Sequence, residues 1–346
     1  MTRGRALRIP PWLLLVAMFS PAMAAFGESA APGNAQPEPT VRVLPVADGL
    51  YMLTVDGWNI AVQSGPQGMV VVDTGPERTS QAVLAALGKI SGGKIRYIIN
   101  TSGDPELIGG NAPLVAQGES LMQSAPRPSS SFVSGQIGRL ALIVARQSVA
   151  SALVMQPGYP DWALPTETFT RPQYNFYLNG QGISVVWMPR AHSDGDTIVF
   201  FRRSDVVVAG AILDMTRFPM IDLAHGGSVQ GEIDALNRLI NEFVITSVPV
   251  IDDTIGTVVI PARGPLCNQA DLVYYRDMVV VVRDRVRDQM NRGKSLQQIE
   301  ASDPTQGYNS RFGAQDGAWT TRDFIHAVYN SLASERAAGK NGARHP

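Results

Sequence analysis

Apolar and polar residues first alternate along this chain with the period of strands. Val41 to Val46, Leu50 to Val55, Ile60 to Gln63 and Met69 to Asp73 are short strand-like runs. Asp48-Gly49, Asp56-Gly57 and Gly65-Pro66 separate them as turns, so an antiparallel meander is expected. Thr79 to Leu87 then takes helical spacing, and Ile95 to Asn100 returns to strand. From Gly110 to about Pro157 the pattern predicts mostly helix, with Ile137, Leu140, Ile143 and Val144 on one face. Phe169 to Leu178, Ile183 to Met188, Thr197 to Phe201 and Val206 to Gly210 read as strands, with Asn179-Gly180 as a hairpin signal. Ile233 to Ile240 predicts a helix and Val258 to Pro261 a strand. Leu272 to Met290 carries apolar residues at i+3/i+4 spacing over about five turns and is closed by Gly293, a supporting C-terminal helix.

Composition bounds the class. With 346 residues, 45% hydrophobic and 17% charged, the chain can bury a large core, and neither disorder nor a fibre is indicated. The start is basic and acid-free (Arg3, Arg5, Arg8), Trp12 to Phe19 is apolar, and Ala22-Met23-Ala24 offers an A-x-A cleavage site. That run is well short of the ~20 residues a spanning helix needs, so residues 1–24 read as a removed signal peptide, with export to the periplasm or medium. Residues 25–40, rich in Ala, Pro, Gly and Glu, read as a flexible tether. Removing residues 1–24 takes away three Arg and no acid, so the formal charge moves from -1 to -4, against a nucleic-acid or anionic-membrane partner. Cys267 is the single cysteine, which leaves no internal disulfide and suits a small buried apolar residue better than a reactive thiol.

Candidate chemistry gathers at Ile98-Ile99-Asn100-Thr101-Ser102-Gly103-Asp104-Pro105-Glu106-Leu107-Ile108-Gly109-Gly110, a strand that passes through a polar loop into a Gly pair. This stretch resembles the first metal motif of the metallo-β-lactamase superfamily, in which Thr precedes His-x-His-x-Asp-His and then Gly-Gly. Val70 to Gly75 resembles that family's strand ending in Asp-Thr-Gly. Pro189 to Thr197 resembles its second metal motif, a His followed by Thr/Ser-x-Gly-Asp. Val206 to Ala211 and Ile260 to Pro265 resemble its strands ending in Gly-Asp and in Gly-His-Gly. In the family's order these blocks cover roughly residues 41–335, most similar to its secreted bacterial branch. The resemblance implies an αββα sandwich over 41–265, with a C-terminal helical extension over 266–340 packed on the same domain.

It also implies a dinuclear zinc site, in which imidazoles and carboxylates hold two metals that acidify a shared water for attack on a carbonyl. Here the residue types depart from it. Ser102, Asp104, Glu106 and Leu107 stand at the first motif's ligand positions, Ala211 at the bridging Asp and Arg263 at the last His; only His192 matches. Leu107 and Ala211 offer no lone pair, and Arg263 brings a permanent cation. At an effective dielectric of about 20, two unit charges ~5 Å apart cost on the order of 3 kcal/mol, and a divalent ion about twice that. The expectation is therefore a guanidinium–carboxylate cluster in place of the metals, with Arg263 paired to Asp104, Glu106 or Asp196.

Function follows as a divergent member that has lost most zinc ligands, needs no cofactor and is non-catalytic, a scaffold or a binder of a small-molecule ligand in the old cleft. The alternative is a hydrolase of ester, lactone or β-lactam-like substrates. It would use one divalent ion, zinc or manganese, at Asp104, Glu106 and His192, or a Ser102 nucleophile with His192 and Asp104, and the Gly109-Gly110 amides would then be the only evident oxyanion hole. Beside these stands a plainer expectation: His192 is a hydrogen-bonded cleft histidine, and Ser102 a loop serine. Asp73 and Asp196 organise loops at strand ends. Asp214 has no motif behind it, His225 lies in a Gly-rich loop bordering the cleft, and Trp58 and Trp162 serve the cleft or the packing. His326 and His345 match no family ligand.

Overall fold

The computed structural model of the chain describes residues 39–121, 140–244 and 256–342. The signal-like start, most of the tether, Ile137 and His345 lie outside them. The described residues belong to one compact unit.

Strands β1 (Arg42–Ala47), β2 (Leu50–Val55), β3 (Trp58–Gly65) and β4 (Gly68–Val72) pair antiparallel in succession, as the turns predict. Helix α1 (Ser80–Ile90) leads to β5 (Ile95–Ile99), which lies parallel to β4. Two short helices, α2 (Pro105–Ile108) and α3 (Asn111–Ala116), follow. The predicted helical face through Ile143 and Val144 is instead a strand, β6 (Leu142–Arg146), parallel to β5. Every residue of β6 is buried. A strand covered on both faces shows a continuous apolar run that periodicity cannot tell from a helix. Helix α4 (Gln147–Met155) begins directly after it.

The run from Phe169 to Leu178 is likewise two strands. β7 (Glu167–Phe169) lies parallel to β6, whereas β8 (Gln173–Leu178) forms a hairpin with β9 (Gln181–Trp187) at the other end of the strand order. Pro172 sits at the break, where it can give no ladder N–H and restricts the residue before it. Asn179 and Gly180 take φ of 51° and 74° in the hairpin turn, the left-handed values such a turn requires. β10 (Thr197–Phe201), β11 (Val206–Asp214), α5 (Val229–Arg238) and β12 (Val258–Arg263) complete the second half, followed by α6 (Gln269–Asn291), α7 (Leu296–Ala301), α8 (Asn309–Phe312) and α9 (Thr321–Gly342).

Alternation of side chains explains the layering. In β3, β4 and β6, Ile60, Val62, Val71 and Ile143 face α1 and α3, while Ala61, Val70, Val72 and Val144 face inward. In β10, β11 and β12, Ile198, Val207 and Val259 face α5, α6 and α9, while Val199, Val208 and Ile260 face inward. The inward sets meet in one core between the two halves, so the order of layers is αββα. Arg263 and Trp58 form the register pair joining β12 to β3, at the seam between the halves. Among the described residues no helix is long and apolar enough to cross a membrane.

Candidate functional site

The loop after β5 is fixed by buried polar bonds. Asp73, just past β4, has φ of 60°, and its carboxylate accepts from Thr101 N at 2.9 Å and Thr101 Oγ at 2.7 Å. Burial pushes the Asp73 carboxyl up to about 7, against the pull of the Thr101 bonds. Asn100 and Asn111 exchange side-chain amide bonds at 2.9 and 3.0 Å. Ser102 is fully buried, and its Oγ accepts from Asp104 N at 3.0 Å. The backbone therefore presents Asp104 and holds Ser102 inside the loop.

His192 arrives from the loop between β9 and β10, where the buried Asp196 carboxylate accepts from Ser193 N at 2.5 Å and Ser193 Oγ at 2.8 Å. Burial likewise raises the Asp196 carboxyl to about 7. His192 Nδ1 donates to the Met220 carbonyl at 2.8 Å, and Nε2 stands 3.0 Å from Asp104 Oδ2, off the line of an aligned hydrogen bond. Burial opposes a charge on the imidazole, but Asp104, then Asp196 and the Met220 carbonyl, carry it up to about 10. Burial likewise opposes charge on Asp104, yet His192 holds its carboxyl below the ordinary range. The two form an ion pair at neutral pH. An imidazolium has no lone pair left to take a proton from Ser102, and no Ser102–His192 hydrogen bond is present among the described residues.

The other candidates separate. Glu106 turns to Arg78, 3.3 Å away, and lines a cavity of ≈ 500 Å³, whereas Asp104 lines a different cavity of ≈ 650 Å³. Leu107 is buried with Ala145, Val149, Leu153 and Ala262, and Ala211 packs against that cluster. The Gly109 and Gly110 amides are spent on Pro105 O and Gly75 O at 2.9 and 3.0 Å, leaving no oxyanion hole there. Among the described residues no group of three or more His, Cys, Asp or Glu side chains is arranged to hold a metal ion. Asp104 and His192 thus meet, whereas Glu106 does not join them.

Arg263 does sit in a guanidinium–carboxylate cluster, but its partner is Asp214, 4.0 Å from Nε, in place of Asp104, Glu106 or Asp196. Asp214 ends β11 beside the end of β12, so parallel pairing of those strands brings the two side chains to one level. Asp214 also accepts from Arg217 Nε at 2.6 Å. Arg217 went unread in the sequence, although its i,i+3 spacing from Asp214 was visible. The same spacing joins Asp222 to His225, with Nδ1 2.5 Å from Oδ2, at the rim of the ≈ 650 Å³ cavity. Glu232, in α5, is fully buried with both carboxyl oxygens unpartnered among the described residues; desolvation and Asp196 raise its pKa well above the ordinary value. Trp58 lies at the seam, Trp162 is 39% exposed, and His326 pairs with Glu300 at 3.1 Å. Cys267 is buried and its thiol pushed up to about 12, chiefly by desolvation.

No protein-family profile matches the chain, and no curated protein matches it in sequence. Solved structures do match. A metallo-beta-lactamase from Pontibacter korlensis aligns with a TM-score of 0.53 and 16% identity, over 69% of this chain and 99% of that one. The chain has the metallo-β-lactamase fold. A double mutant of the sec-alkyl sulfatase PisA1 gives 0.61 and 13%, over 85% of this chain and 50% of that one. The stereoselective inverting sec-alkylsulfatase Pisa1 from Pseudomonas sp. gives 0.58 and 14%, over 84% and 50%. The chain spans about half the length of these alkylsulfatases.

Proposed function

We propose that this protein is a divergent, exported member of the metallo-β-lactamase superfamily that has lost the dinuclear zinc site and binds a small molecule in the former catalytic cleft. One observation carries the reading: three carboxylates at the cleft already have a cationic partner from the protein. Asp104 has His192, Asp214 has Arg217 and Glu106 has Arg78. A metal at these positions would have to break an ion pair for each carboxylate it gained. The apolar packing of Leu107 and Ala211 supports the same reading from the other ligand positions.

A second reading, hydrolysis at one metal ion, is favoured by the orientation of His192. Its Nδ1–H is held by a backbone carbonyl and its Nε2 stands beside a carboxylate oxygen, as in a ligating imidazole. Metal content of the purified chain, measured with turnover of a chromogenic lactam and a lactone panel, separates the two. We expect sub-stoichiometric metal and no turnover. Stoichiometric zinc or manganese that disappears in His192→Ala would overturn the metal-free reading.

A further inference from the structure

A strand at the edge of a sheet offers unpaired N–H and C=O groups to another chain unless something blunts it. Among the described residues β1, β7, β8 and β12 lie at such edges. Three of them are guarded. β1 carries Arg42, Pro45, which has no N–H, and a register shift between Pro45 and Ala47. β7 has three residues. β12 meets β3 at Arg263, and farther along that edge Val259 exchanges two backbone bonds with Cys267.

β8 has none of these protections. It is Gln173-Tyr174-Asn175-Phe176-Tyr177-Leu178, without charge or proline, and its one strand partner among the described residues is β9, in unbroken register. The Asn179-Gly180 turn closes on the pair Leu178–Gln181, and from a closing pair bonded and unbonded pairs alternate. The bond from Trp187 N to the Pro172 carbonyl keeps that alternation at the far end. Leu178, Phe176 and Tyr174 therefore spend their backbone groups on β9, while Gln173, Asn175 and Tyr177 turn theirs outward. The side chains of these three are exposed as well, Tyr177 at 70%.

We propose that β8 pairs antiparallel with β8 of a second copy of this chain, about a twofold axis through Asn175. The strand is complementary to itself in that register. Gln173, Asn175 and Tyr177 face Tyr177, Asn175 and Gln173 of the second copy as bonded pairs, each exchanging two backbone bonds. The Asn175 amide, with donor and acceptor, matches its own copy on the axis. On the inner face Tyr174 and Phe176, already 5.9 Å apart with Phe176 4.5 Å from Tyr97, continue their aromatic row across the axis. No like charges meet, because Arg171 falls opposite Asn179. No β8 residue lines either cavity beside the site, so the pairing leaves the cleft open.

Sedimentation velocity of the purified chain over a micromolar concentration series reads its mass, and a dimer is expected. Asn175→Lys sets two ammonium groups against each other on the axis and is expected to weaken the dimer at least about tenfold. Val154→Lys, at a 64% exposed position on α4, is expected to leave it unchanged. Circular dichroism checks that each variant is folded. Disulfide trapping with oxidised glutathione reads the register and carries the test where Asn175→Lys does not fold. Bonded antiparallel partners have Cα atoms about 5.5 Å apart, within reach of a disulfide, so Asn175→Cys is expected to cross-link to its own copy. Tyr177→Cys is expected not to, because it opposes Gln173, and the buried Cys267 leaves the parent uncross-linked. A parent that stays monomeric would leave β8 to another chain and overturn the inference. So would a dimer that Asn175→Lys leaves intact, or cross-linking of Tyr177→Cys as fast as that of Asn175→Cys.

Discussion

Arg263 and Trp58 oppose each other in register where β12 meets β3, with the guanidinium carbon 4.8 Å from the centre of the indole. The residue that the resemblance places at a ligand position is therefore also a fastening between the two halves of the fold. Trp58→Ala removes the ring under both Arg263 and Arg217 and opens the edge of the apolar cluster around Leu107 and Ala262. The expected loss is about 3 kcal/mol, at the low end for a Trp truncation because the ring is only partly buried. Urea unfolding measures it; an unchanged midpoint would show that the seam is held elsewhere.

Arg263→His tests why the donor set should exclude metal. The substitution removes a cation and installs a lone-pair donor beside Asp214. With the repulsion on the order of several kcal/mol gone, zinc affinity should rise at least about tenfold over the parent. Calorimetric titration with zinc is the measurement. If affinity does not change, the charge of Arg263 does not govern metal binding at this position.

How much of this was legible depended on whether the signal was local. The Asn179-Gly180 turn and the meander from Val41 were readable because turn residues bound each element, even β4, which is buried throughout. β6 was not, because Leu142 to Arg146 is buried on both faces and carries no period to read. The division of Phe169 to Leu178 was hidden for a related reason: two short strands that end up at opposite edges of the strand order are contiguous in sequence. At the site, the departure of Leu107, Ala211 and Arg263 from the residue types that the resemblance implies was plain from the residues alone. The partner of Arg263 was not, since it depends on β11 running parallel to β12 and ending level with it.

The Asp104–His192 pair should appear in the pH dependence of stability. Burial opposes its charge, but Asp104 and its neighbours raise the folded pKa of His192 from the ordinary 6.5 to about 10. Its stabilisation is therefore complete below about 6.5 and is lost as pH rises through 10. Asp73 and Asp196, raised by burial from 3.8 to about 7, contribute stability below 3.8 that is gone by about 7. The fall between pH 7 and 10 thus belongs to His192 among these groups. Denaturant midpoints at pH 7 and 10 should show it in the parent and show it reduced in Asp104→Asn. An equal fall in that variant would mean that the pair does not hold the proton.

Gly210 and Gly88 make opposite predictions for the same substitution. Gly210, at a register shift between β11 and β12, has φ of 56°, and a Cβ there would collide with the Thr101 side chain. Thr101 cannot retreat without breaking its two bonds to Asp73, and the loop it anchors carries Asp104 to His192. Gly210→Ala therefore combines left-handed strain with overpacking, about 2–4 kcal/mol in all. Gly88 lies within α1, and a Cβ there meets nothing within 4 Å. Gly88→Ala should stabilise by about 0.5–1 kcal/mol, because alanine loses less backbone entropy in a helix. Thermal melts of the two variants against the parent give the comparison. A Gly210→Ala protein as stable as the parent would mean that the Asp73–Thr101 anchor can shift, and with it the position of Asp104.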